Sequence, residues 1–274
     1  MAMFTSYPSP NKIKHRRQKI MEKSLKTRIR KEFESYVLLL RSIPSVILAL
    51  FVVSIVGMNL LANKSIDTGS LDWLALDCGI LLSWLAFLTM DVLVRRFGPK
   101  AATQVSITAI CINLLLCLVF FIASLISGSW GESYIPEGGN IVNQALNNTF
   151  GGTWYVLLGS TIACIASSFI NNFLNWSIGK LTKHHKHSFA NYALRSYVST
   201  AVGQFFDNLI FSLIVSINFF GWSLLQCFTC ALTGAIVELL CEVVFSPIGY
   251  KVFINWENNN VGKDYLAHIE KEAN

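Results

Sequence analysis

Six stretches of this chain stay apolar for about 20 residues, the length that a helix rising roughly 1.5 Å per residue needs to cross the hydrocarbon layer of a bilayer. They run Ile43–Ala62, Leu74–Val94, Ala102–Ile126, Trp154–Ile178, Ser196–Ile217 and Trp222–Phe245, and none of them holds a lysine or an arginine. A soluble helical core would instead need amphipathic helices, each with one polar face. Hydrophobic residues make up 53% of the chain and charged ones 14%, with a mean hydropathy of +0.49, values suited to a lipid solvent. The expected fold is an all-α membrane protein, a bundle of six transmembrane helices.

Cytoplasmic loops retain Lys and Arg whereas translocated loops lose them. Here basic residues crowd positions 1–42, recur as Arg95, Arg96 and Lys100, again between 179 and 195, and again after 248. Of the 22 in the chain, Lys64 alone falls on the other side, with the acids around Asp67 to Asp72 and Glu132 to Glu137. The expected topology is therefore N-in/C-in, multi-pass, in the cytoplasmic (inner) membrane of the cell. The formal charge of +6 is split over four segments and forms no continuous stripe for a phosphate backbone, so nucleic acid is not an expected partner.

Three parts follow: a basic cytoplasmic arm over 1–42, a six-helix domain over 43–252 and a cytoplasmic tail over 253–274. The arm is too long and too charged for a signal peptide, and no small-residue cleavage site follows the first apolar run. Ile20, Leu25, Ile29 and Phe33 recur along it at spacings of four and five, which suits a helix lying on the inner surface against anionic lipid. The same composition also suits a partly disordered basic arm.

Cys78, Cys111, Cys117, Cys164, Cys227, Cys230 and Cys241 all lie within the expected spans, where cysteine acts as a small apolar residue. Cys227 and Cys230 form a C-x-x-C, and Lys183 to Lys186 and His187 a basic, histidine-rich cluster. Inside a membrane helix the first reads as packing, and the second as the charge that a cytoplasmic loop requires. No metal site and no cofactor are expected. G-x-S-x-G, H-E-x-x-H, the phosphate-binding loop and the dinucleotide glycine fingerprint are all absent, so the chain does not read as an enzyme.

Polar residues inside the apolar runs carry the functional information, because an ionisable side chain deep in a bilayer persists only against protein or water. Gln204, Asp207 and Phe211 share a helix face at i, i+3 and i+7 near the middle of the fifth span. Glu238 and Glu242 share a face of the sixth, Asn59 and Asn63 of the first, and Asn171 and Asn175 of the fourth, while Asp91 nears the inner mouth of the second. Ser168–Asn172 also echoes Gln204–Asn208 on helices running in opposite directions, as in the inverted repeats that flank transporter sites. Amides alone can be interhelical glue, worth about 1 kcal/mol each. Asp207 and Glu238 have no cation within any span, so they either hold a proton or face water and await a cationic or donor-rich ligand. Both routes lead to transport.

At these residues the chain resembles the queuosine-precursor transporters, also called the vitamin uptake transporter (VUT) family. Asp91-Val-Leu-Val-Arg95-Arg96-Phe97-Gly98 resembles the family's D-x3-R-x-F-G run at the end of the second helix. Gln204-x2-Asp207-x3-Phe211 resembles its fifth-helix pattern, and Ser246-Pro247-x2-Tyr250 its close to the sixth, with the order kept over roughly residues 43 to 252. The chain departs from the family at Ser168 and Asn171, where members often have Gln and Asp, and at Val237 and Glu238, where they often have Lys.

The resemblance implies a bundle like the substrate-binding (S) components of energy-coupling-factor (ECF) vitamin transporters. It implies import of a 7-deazaguanine base such as preQ0, preQ1 or queuine. Asp207 and Gln204 would then grip the base, with Asn208, Asn171, Asn172, Glu238, Trp84, Phe211 and Asn59 completing the pocket, and Asp91 with Arg95 forming part of a cytoplasmic gate. A neighbouring N1–H and exocyclic amine suit a carboxylate acceptor, and aromatic residues such as Phe205, Phe206 and Trp84 suit a flat ring. Expected partners are the small-molecule substrate, membrane lipid, and an ECF-type energising complex or further copies of the chain. Movement by facilitation, by proton coupling or by a separate ATP-driven module all stay open, as does another vitamin-like solute. The rival classes are an intramembrane enzyme using Asp91 or Asp207, and a non-transporting scaffold whose polar helix faces are packed shut.

Overall fold

The computed structural model describes residues 10–71, 73–130, 139–182 and 188–273. Helix dominates: α1 (Pro10–Ser42), α2 (Ser45–Leu61), α3 (Ile80–Phe97), α4 (Pro99–Leu125), α5 (Gly139–Leu181), α6 (Phe189–Phe211), α7 (Ile217–Phe220), α8 (Leu224–Asn258) and α9 (Lys263–Ala273). A π-helical turn, Ser212–Ser216, joins α6 to α7. The chain divides into two compact units, residues 43–261 and residues 1–42 with 262–274.

In the larger unit, α3 packs against α2, α4, α5, α6 and α8, and every residue from Ala86 to Val94 is buried. Polarity in this unit is turned inside out relative to a soluble protein. Along α8, Leu232, Ile236, Leu240, Val244 and Ile248 are exposed at successive turns, while Glu238, Glu242 and Ser246 are buried. On α4, Leu114, Leu115, Leu118, Val119 and Ile122 are likewise exposed, and Ser106 and Asn113 buried. Apolar faces outward and polar groups inward are what a hydrocarbon solvent selects.

Local chemistry explains where the helices stop and bend. Gly98 ends α3 at φ 88°, in the left-handed region, and Pro99 opens α4 at a first-turn position that needs no N–H, which accounts for the glycine of the D-x3-R-x-F-G run. Ser223 and Gln226 cap α8 reciprocally. Pro247 inside α8 leaves the Val243 carbonyl without its helical donor; the Ser246 hydroxyl donates to it at 3.3 Å. At the π turn, Tyr155 Oη (2.6 Å) and Asn218 Nδ2 (3.1 Å) both donate to the Ile214 carbonyl.

The expectation of six spans is met only in part. Among the described residues four helices, α4, α5, α8 and the α6–α7 run Phe189–Phe220, are long and apolar enough to cross a membrane. Leu25–Ser42 and α2, taken together as one broken span, would make a fifth; the break falls at Ile43-Pro44, where proline cannot continue the ladder. Helix α2 has 17 residues, and the 18 of α3 include Asp91, Arg95 and Arg96. The expected second span starts too early, because Leu74–Gly79 is loop: Asp77 Oδ1 accepts the Gly79 N–H at 2.7 Å, and a lone bridge pairs Ser65 with Asp77. Conversely α6 begins at Phe189 and so draws Arg195 into the helix, while α8 runs on to Asn258.

In the smaller unit one continuous helix runs from Pro10 through Ser42, and α9 packs against it. Leu25, Ile29 and Phe33 are exposed along one side of α1.

Helices also pack closely at Gly249, where an added Cβ would lie 2.3 Å from Tyr192 Oη and 2.9 Å from Leu88 Cδ1. Gly249→Val is expected to overpack α8 against α6 and α3 and to cost about 1–3 kcal/mol. Thermal unfolding in detergent checks this; an unchanged midpoint would contradict the packing.

Candidate functional site

Two layers of buried polar groups lie between α2, α3, α5, α6 and α8. One, named outer after the topology expected from the sequence, surrounds a hollow of about 30 Å³, room for about one or two waters, and the other is named inner. Asp207, Asn208 and Phe211 of α6 face it, with Glu238 of α8, Asn59 of α2 and Asp77 of the loop before α3. Its wall also includes Ser83 of α3 and Ser160 of α5.

Each carboxyl here meets a neutral donor. Asp207 Oδ1 accepts from the Ser167 hydroxyl at 2.6 Å, and Asp77 from Gly79 N–H. One Glu238 oxygen accepts from the Ser83 hydroxyl, while the other, Oε2, is buried with no hydrogen-bond partner. Asn59 accepts from Ser160 through its side-chain oxygen. Gly234 of α8 gives Asn208 its room, since a Cβ there would stand 2.5 Å from Asn208 Nδ2. Three carboxyls thus converge on one small hollow, with no Lys or Arg among its lining residues. In a low-dielectric interior such a set favours a bound proton, a cation or a ligand rich in N–H groups.

The inner layer is centred on Asp91, which is fully buried. It accepts from Asn175 Nδ2 at 2.8 Å, Asn171 Nδ2 at 3.1 Å, the Ser199 hydroxyl at 3.4 Å and, in close contact, the Ser196 hydroxyl. Ser196 also touches Glu242. Arg195 donates to the side-chain oxygen of Asn175 at 2.7 Å and to its carbonyl at 3.0 Å, so a cation reaches Asp91 through one amide. Gly179 makes the space: a Cβ there would lie 2.5 Å from the Arg195 guanidinium carbon.

Of the residues singled out in the sequence, Asp207, Asn208, Phe211, Glu238 and Asn59 come together at the hollow. Gln204 is fully buried about one turn away, and neither its amide oxygen nor its amide nitrogen has a hydrogen-bond partner. Asn171 points instead to Asp91, and Asn172 donates to Thr103 of α4 at 2.9 Å. Trp84 stacks on Phe245 at 4.2 Å, with its indole N–H on the Leu81 carbonyl. Arg95 lies over the rings of Tyr192 (4.5 Å) and Phe253 (5.1 Å).

Asp77, Ser83, Ser160 and Ser167 were not singled out for the site. Asp77 carried a usable signal as an acid in an apolar run; the three serines carried none, because hydroxyls in apolar helices so often bond their own preceding turn, as Ser54 does with Leu50. Cys227 and Cys230 are buried free thiols. The Lys183–His187 cluster lies outside the described residues.

No curated protein and no solved structure matches the chain significantly. The profile of one family, described as "Putative vitamin uptake transporter", matches residues 77–252, from the loop carboxyl Asp77 through α8's Pro247 segment and so over most of both polar layers. With well over half of its length under that profile, a multi-pass helical architecture and carboxyls converging on an interior hollow, the chain belongs to the vitamin uptake transporter family.

Proposed function

We propose that this protein imports a 7-deazaguanine base, a queuosine precursor such as preQ0, preQ1 or queuine, across the cytoplasmic membrane, and that the outer hollow is its binding site. The observation that carries the reading is the convergence of Asp207, Glu238 and Asp77 on one hollow with no Lys or Arg among its lining residues. A deazaguanine offers N1–H beside an exocyclic amine, a donor pair that a carboxylate such as Asp207 accepts in two parallel bonds. The unpartnered Glu238 Oε2 and the Gln204 amide supply acceptors and donors for the rest of the ring edge.

At about 30 Å³ the hollow is water-sized, so a base enters only as the surrounding helices part. The π turn one helical turn beyond Asp207 is the natural place for α6 to give, because its backbone already departs from the regular ladder. Transport, rather than catalysis, is the reading that uses these groups.

The same reading assigns both termini to the cytoplasm, counts α2 and α3 as the short first and second spans, and lays the apolar side of α1 against the inner leaflet. Two predictions follow from it. A fluorescent protein fused after Asn274 is expected to fluoresce, and Lys64→Cys to react with an impermeant maleimide added outside; a dark fusion with an unreactive cysteine would contradict the topology. Asp207→Asn, which keeps the shape but replaces one acceptor oxygen by a donor, is expected to abolish uptake of labelled queuine at unchanged membrane expression. Normal uptake by that well-expressed variant would refute the site.

A further inference from the structure

In the inner layer two carboxyls share one hydroxyl. The Ser196 hydroxyl lies in close hydrogen-bonding contact with one oxygen of Asp91 and one oxygen of Glu242. A serine hydroxyl has one hydrogen to donate. It satisfies one of these two oxygens; the other contact is a hydrogen bond only where the carboxyl itself donates to Ser196 Oγ. A full set of hydrogen bonds at Ser196 therefore calls for one acid and one carboxylate.

The surroundings decide which. Asp91 also accepts from Asn171, Asn175 and Ser199, and Arg195 stands behind Asn175. These are the partners of an anion. Glu242 has Ser196 on one oxygen, while its Oε2 is buried with no hydrogen-bond partner, as is the Asn171 Oδ1 beside the cluster. The other charged or titratable groups facing the pair are Arg95 from α3, the Tyr192 phenol from α6 and the Cys241 thiol from α8, with Glu257 of α8 acting on Arg95. None places a cation on Glu242 within ion-pair distance among the described residues.

We propose that Glu242 is the proton-carrying site of this transporter: as an acid it donates to Ser196, which donates to Asp91, and this chain latches α8, α6 and α3 together. Release breaks the Glu242 O–H bond and passes the proton to water on the cytoplasmic side. Two carboxylates then face a single hydroxyl hydrogen, and their repulsion opens the inner end of the bundle. Reprotonation by a proton drawn from the outside closes it, so inward movement of solute is coupled to inward movement of protons. The proposal rests on the transport reading above, and supplies its energy source without an ATP-hydrolysing partner.

The test uses the full chain in proteoliposomes. Infrared difference spectra on raising the pH are expected to contain the carbonyl stretch of a protonated carboxylic acid, shifted in D2O and lost in Glu242→Gln. In Ser196→Ala, which removes the acceptor of that acid's hydrogen bond, the band is expected to move to higher frequency. Loading vesicles at alkaline pH and diluting them into acid is expected to drive accumulation of labelled queuine by the wild type and not by Glu242→Gln, which keeps its queuine binding. A band unchanged by both substitutions, or accumulation by Glu242→Gln equal to the wild type's, overturns the proton site. If the wild type neither binds nor takes up queuine, the substrate reading fails while the infrared band still decides the proton site.

Discussion

A carboxyl buried among helices that face lipid has to be answered by something, and the architecture is organised around how each one is answered. Hydrocarbon offers no compensation for an ion, so each acid must meet a donor, a cation, a proton or a solute. In the inner layer the answer comes from the protein: Asp91 collects two amides and several hydroxyls from α5 and α6, and a guanidinium at one remove. In the outer layer the answer is incomplete. Asp207 has one serine, Glu238 has one oxygen satisfied and one not, and both open on the same hollow. The inner layer closes largely on its own donors, whereas the outer layer leaves a carboxyl oxygen unanswered beside the hollow.

The architecture was legible in the sequence wherever bilayer thickness alone sets the pattern. Runs such as 102–126 and 222–245 return as α4 and α8 because nothing polar interrupts their outward faces. It was less legible at the second run, where apolar content disguised a loop. Leu74, Ala75 and Leu76 look like helix, yet the Asp77 side chain takes the Gly79 N–H and delays the helix to Ile80. Arg195 was misread as loop for the opposite reason: a basic residue suggests water, but Gly179 across the helix pair leaves a slot for its guanidinium.

The site was partly legible on the same grounds. Asp207, Glu238, Asn59 and Phe211 were recognisable as polar or aromatic groups sharing faces of apolar helices, and they meet at the hollow. Spacing along one helix could not say which neighbour each face meets. Glu238 and Glu242 are one turn apart, yet Ser83 of α3 draws the first to the outer layer and Ser196 of α6 the second to the inner. Asn171 and Asn172 are adjacent, yet one reaches Asp91 and the other Thr103. Such partitions depend on crossing positions of helices far apart in the chain, and a single sequence does not encode them locally.

The central claim is that a solute completes the bonding of Asp207 and Glu238. Titration calorimetry of purified protein with queuine and its precursors, for the wild type, Asp207→Asn and Glu238→Gln, tests it most directly. Each lost charge-assisted bond is worth about 1.5–3 kcal/mol, so the account predicts saturable binding that weakens roughly 10- to 100-fold in each variant. Binding of equal strength in all three proteins would contradict it.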